Sequence, residues 1–140
     1  MVTAALQSRP SAYTPQHERL SALVAHLGKV VLSPEGKHER AHVIFVDGGR
    51  SFLGDSGIGM GSIGALSLRM REVFGEALRL GARGMILAHN HPSGDCRPSS
   101  SDIAATRRLA EVAGALDIEL IDHLIFTTDA VYSMRAGGML

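Results

Sequence analysis

Met85, Ile86, Leu87 and Ala88 form an unbroken apolar run, the pattern of a strand covered on both faces. Helical periodicity flanks it on both sides. Upstream, Leu68, Val73, Phe74, Ala77, Leu78 and Leu80 mark an amphipathic helix that Gly81 is placed to end. Downstream, Ser99 to Ser101 offer N-caps for a helix carrying Ile103, Thr106, Ala110 and Ala113 on one face. Residues 89–98 between strand and helix read as loop.

The remaining elements follow from the same rules. Thr14-Pro15 is a cap followed by proline at the first helical position, and Leu20, Leu23, Val24 and Leu27 recur at helical spacing, which predicts a helix from about Pro15 to Gly28. Ser33-Pro34-Glu35-Gly36 breaks the pattern. A strand opens at Glu39 and runs through Val43-Ile44-Phe45-Val46 to the turn Asp47-Gly48-Gly49, with a second strand expected from about Ser51. Five glycines between Gly54 and Gly64 predict bulges or a close backbone approach. Leu120 to Phe126 and Val131 to Met134 complete the set. Helix, two strands, helix, strand, helix, two strands is the order of one α/β domain with a mixed sheet. It is assigned to residues 14–140, with the motif-bearing core at 39–134 and a loosely held tail at 1–13.

Composition narrows the function classes. A chain of 140 residues can bury a core without bridges or metals to hold it. Fourteen basic and fourteen acidic side chains cancel, and no run of Lys or Arg forms a cationic stripe. Nucleic acid and membrane are therefore not expected partners, and any DNA association should be weak and strongly salt-sensitive. A single cysteine, Cys96, allows no intramolecular disulfide, and no secretory signal opens the chain, which together point to a cytoplasmic setting. No apolar stretch approaches the roughly 20 residues of a membrane span, so a soluble protein is expected.

The segment from Ala88 to Asp102 carries the chemistry. His89 and His91 are separated by one residue, so on extended backbone both imidazoles lie on one side and can reach one ion. Asp102 sits in the first turn of the following helix, and Pro92 and Gly94 let the loop fold back to bring its carboxylate to the pair. Two His and one carboxylate leave a fourth position for water, the arrangement of a catalytic zinc site. Zinc there lowers the water's pKa toward about 7. The plainer alternative is a pair of loop histidines with no ligand role.

The run His-x-His, seven residues, Ser-x-x-Asp resembles the JAMM (MPN+) metalloprotease motif. Its wording here, His89-Asn90-His91-Pro92-Ser93-Gly94-Asp95 followed by Pro98-Ser99 and Asp102, is similar to the RadC family. Arg71-Glu72-Val73-Phe74 with Ala77-Leu78, and Leu120-Ile121-Asp122-His123 with Tyr132-Ser133, extend the likeness from about Glu39 to Ser133. The resemblance implies a single MPN/JAB-like domain of cytidine-deaminase-like layout, one zinc per chain on His89, His91 and Asp102, and hydrolysis of a peptide or isopeptide bond. It also implies a glutamate general base at the opening of the first apolar strand, where Glu39 stands. The alternative for Glu39 is a solvated charge at a strand end, with Glu35 and Glu72 as the other candidates. Glu72 is expected to face water or pair with Arg69.

By the same resemblance Ser99 helps hold the tetrahedral oxyanion; as a residue type in that place it is also a helix N-cap. Cys96 is a small loop side chain, or an inhibitory fourth zinc ligand. His123 is read as a hydrogen-bonded structural histidine. His17, His26, His38 and His42 carry no ligand spacing and are read as surface residues.

Competing functions fit less well. In the HNH nuclease fold the three residues are spread over separate elements, and zinc nucleobase deaminases need His-x-Glu and Pro-Cys-x-x-Cys ligands, which are missing. RadC proteins carry a DNA-repair label and a preceding helix-hairpin-helix segment, which the roughly 38 residues before Glu39 do not resemble. A non-catalytic zinc-binding domain is the remaining alternative. Fold by itself decides none of these.

Overall fold

The computed structural model describes residues 15–32, 38–60 and 66–140. The expected tail, the Thr14 cap, the break at Ser33-Pro34-Glu35-Gly36 and the alternative base Glu35 lie outside these residues. The described elements are α1 (Pro15–Leu32), β1 (Arg40–Val46), β2 (Phe52–Met60), α2 (Leu66–Leu80), β3 (Gly84–Asn90), α3 (Ser100–Ala115), β4 (Glu119–Phe126) and β5 (Val131–Ser133). This is the α/β order expected from the sequence.

The strands form one mixed sheet in the order β2-β1-β3-β4-β5. The apolar strand β3 is central, antiparallel to β1 and parallel to β4, and buried along its whole length. A strand with no solvated face has no use for polar alternation, which accounts for its composition. Side chains on one face of the sheet, among them Val43, Phe45, Met85 and Leu87, pack under Val73, Phe74 and Ala77 of α2 and Leu109 and Ala113 of α3. Those on the other face, Ile44, Val46, Ile86, Ala88, Leu124 and Phe126, pack under Leu27 and Val31 of α1.

Three boundaries differ from the sequence reading. α1 continues past Gly28 to Leu32. Glycine stands there for space: a Cβ on Gly28 would lie 2.9 Å from Phe126 Cε2, so its absence lets the helix close on that ring. β3 extends through His89 and Asn90, which the sequence reading places in the loop. His91 follows the strand's path, its N–H donating to Phe126 O at 2.9 Å. The glycine-rich stretch holds as strand to Met60, with the expected irregularities: register shifts opposite Ala41/His42 and Phe45/Val46, and an approach so close that a Cβ on Gly54 would meet Leu80 Cδ1 at 2.9 Å.

Beyond β5 the chain is tied back to β4 through Asp122, which accepts from Ser133 Oγ and from the Arg135 N–H at 3.1 Å. Burial pushes the Asp122 carboxyl up despite those bonds.

Candidate metal centre

The site lies where β3 leaves the sheet, on the α2/α3 face. His89 is completely buried. Asn90 points the other way and clamps the entry to β1: its Oδ1 accepts from Arg40 N at 2.6 Å and its Nδ2 donates to His38 O at 2.9 Å. The residue between those two backbone groups is Glu39. The middle letter of His-Asn-His thus holds the glutamate's backbone beside the histidines, a role the sequence reading missed.

The loop after β3 is shaped by its own backbone. Gly94 N–H donates to His91 O at 3.2 Å, with Gly94 at a φ of 89°, which a side chain would strain. The turn presents Asp95 O to His91 Nδ1 at 2.8 Å. Arg97 holds the Asp95 side chain through several hydrogen bonds and lowers its carboxyl to about 2. Cys96 is buried against Ile125 and Met134 and packs as a small apolar side chain. Ser99 caps α3, with its Oγ accepting from Asp102 N at 3.1 Å and its N–H donating to Asp102 Oδ2 at 2.9 Å. The cap therefore fixes the Asp102 carboxylate as well as the helix start.

The structure brings the sequence-read residues together. Nε2 of His89 and Nε2 of His91 are 2.9 Å apart; Asp102 Oδ2 is 3.1 Å from the latter and its Oδ1 3.5 Å from the former. Glu39 Oε1 is 4.0 Å from His89 Nε2. Donors at the zinc–nitrogen and zinc–oxygen distances of a tetrahedral shell lie about 3.3 Å from one another. Burial opposes ionisation of Asp102, but the adjoining His89 and His91 and the hydrogen bond from the Ser99 N–H outweigh it and hold the carboxyl far below its ordinary range. The same Asp102 raises His91.

The protons behind the histidines decide what their front atoms can do. Thr106 Oγ1 donates its one proton to Asp102 O at 2.6 Å, so it must accept from His123 Nδ1, also at 2.6 Å. Burial drives the His123 pKa well down, which leaves the ring neutral with a lone pair on Nε2. His89 Nδ1, 2.7 Å away, then donates to it. His91 Nδ1 likewise donates to the Asp95 carbonyl. In the neutral rings both Nε2 lone pairs therefore face one point beside a carboxylate. Two facing lone pairs at 2.9 Å repel unless a proton or a cation joins them, and the donor set, two imidazoles and a carboxylate, fits a divalent zinc-type ion.

Ser99 also borders a cleft of about 430 Å³ lined by His91, Ser93, Asp95, Arg97 and Pro98. Glu72 lies on α2 and pairs with Arg69 at 3.3 Å, as expected. His123 is the hydrogen-bonded histidine expected from its place in a strand. Its partner Thr106 reads in the sequence only as part of a helix face. Two further histidines read as surface residues, His26 and His42, meet at Asp55.

The RadC-like JAB domain family matches residues 18–139, and the chain belongs to it. Similar proteins include a UPF0758 protein of Desulfitobacterium hafniense, 37% identical over 94% of this chain and 55% of its own length. A UPF0758 protein of Vibrio vulnificus is 35% identical over 96% of this chain and 57% of its own, and one of Bordetella avium 39% identical over 73% and 45%. The chain spans about half the length of these relatives. No helix among the described residues is long and apolar enough to cross a membrane.

Proposed function

We propose that the chain is a zinc-dependent peptidase of the JAMM type, hydrolysing a peptide or isopeptide bond in a protein substrate. The observation that carries this reading is the convergence of His89, His91 and Asp102 within 3.5 Å, with the Glu39 carboxylate at its edge. His89 and His91 would hold the ion through Nε2 and Asp102 through its carboxylate. When bound, zinc supplies Lewis acidity that brings a water's pKa toward about 7. Glu39 accepts the proton of the attacking water and delivers it to the leaving amine nitrogen. Ser99, at the rim of the cleft, donates its hydroxyl proton toward the carbonyl oxygen as negative charge develops there. The packing of Cys96 favours its reading as a small apolar side chain over an inhibitory ligand.

Two substitutions test the assignment because they should fail differently. Glu39→Gln keeps size and removes the basic oxygen, so zinc should stay bound while turnover of a cleavable peptide or isopeptide falls by about 10² to 10⁴-fold. Asp102→Asn should weaken zinc binding itself, because a neutral amide is a poorer ligand than a carboxylate. Full activity in Glu39→Gln would refute the base. Zinc binding by a wild-type chain that cleaves no peptide or isopeptide would instead favour a zinc-holding scaffold.

A further inference from the structure

On the opposite face of the sheet three more side chains converge. His26 comes from α1, His42 from β1 and Asp55 from β2. His42 Nε2 lies 2.8 Å and His26 Nε2 3.3 Å from the same oxygen, Asp55 Oδ2. All three ligand atoms fall within 4.8 Å of one another. We propose that His26, His42 and Asp55 form a second divalent-metal site, of the zinc class, that staples α1 to the β1–β2 pair.

The fold builds this cluster from local rules. His42 shares its face of β1 with Ile44 and Val46, which lie under α1. A register shift falls between Ala41 and His42, and the residue opposite His42 is Gly57, so no side chain stands across from the imidazole. Asp55 is paired with Ile44, which makes it the diagonal neighbour of His42. His26 precedes the fully buried Leu27, so the packing of α1 sets its side chain at the rim of the apolar contact.

Two imidazoles and a carboxylate are a borderline-soft donor set that suits zinc and its neighbours and discriminates against magnesium or calcium. The spacings of 2.8 and 3.3 Å compare with about 3.3 Å between donors of a tetrahedral zinc shell, so modest side-chain rotation suffices. Asp55 is held below the ordinary carboxylate range, chiefly by its hydrogen bond with His42, and is present as the anion a cation requires. The ligands come from three separate elements, so an ion there would close α1 onto the sheet.

The test is a zinc titration of the full chain against a chromophoric chelator, with amide exchange followed along α1. The wild type should bind two equivalents, and His26→Gln and Asp55→Asn one each. Asp102→Asn should lose the other equivalent and keep this one, so the two sites can fail separately. At free zinc a hundredfold above the second dissociation constant, exchange of α1 amides should slow by about a hundredfold in the wild type and not in Asp55→Asn. Equal zinc counts in wild type, His26→Gln and Asp55→Asn would overturn the site, leaving a His–Asp ion pair. A second equivalent that binds without slowing α1 exchange would overturn the staple.

Discussion

The two faces of the sheet carry the same donor set, two histidines and an aspartate, in different settings. On the α2/α3 face His89 is fully buried, and each ring is oriented from behind, His89 by His123 and His91 by the Asp95 carbonyl. On the α1 face His26 and Asp55 are exposed, and among the described residues neither His26 nor His42 has a hydrogen-bond partner behind its ring. Both clusters gather ligand-type atoms, but only the first holds its rings from behind, with the proton on the nitrogen that faces away from the cluster. That fixation suits chemistry in which a charge must be met at one point, whereas the second cluster suits an ion that holds two elements together.

If orientation from behind distinguishes the two, removing it should cost the first site affinity. His123→Leu deletes the acceptor for His89 Nδ1 and should weaken zinc binding at the His89 site by about 10 to 100-fold. His123→Gln retains both an acceptor and a donor and should recover much of the loss. Binding at the His26 site should not move in either variant. Equal affinities in the wild type and His123→Leu would show that the buried relay does not orient the ligand.

A smaller effect should follow from Asn90→Ala, which removes the clamp on His38 and Arg40. Loss of the hydrogen bonds to His38 and Arg40 from a buried side chain should cost at least about 1–3 kcal/mol of stability. Zinc binding should be little changed while turnover drops, because Glu39 loses its fixed backbone. A chemical denaturation series and a zinc titration on the same variant separate these outcomes. Wild-type turnover in Asn90→Ala would sink the positioning role.

What the sequence displayed follows from how far apart in the chain the cooperating residues lie. His89 and His91 are legible because period two in a strand puts them on one side, and β3 is legible because a doubly covered strand is apolar throughout. Asp102 is legible from its place in the first turn of the next helix and from a loop that Pro92 and Gly94 let fold back, whereas Glu39 needed the family resemblance, since its approach to the pair depends on strand pairing. His26, His42 and Asp55 gave no signal: they meet only after a helix packs on a hairpin, and no local period relates them. Gly28 misleads for a related reason, since a helix-ending residue and a residue that admits Phe126 look the same in one dimension.

The proposed peptidase chemistry requires a divalent zinc ion at His89, His91 and Asp102. This requirement is tested most directly in an Asp55→Asn chain, where the second cluster is disabled, by measuring zinc per chain after loading at neutral pH and gel filtration. One equivalent should remain, lost on adding His91→Ala, with nitrogen and oxygen neighbours at about 2.0–2.2 Å by X-ray absorption. No retained zinc, or zinc that persists unchanged when His91 is replaced, would contradict it.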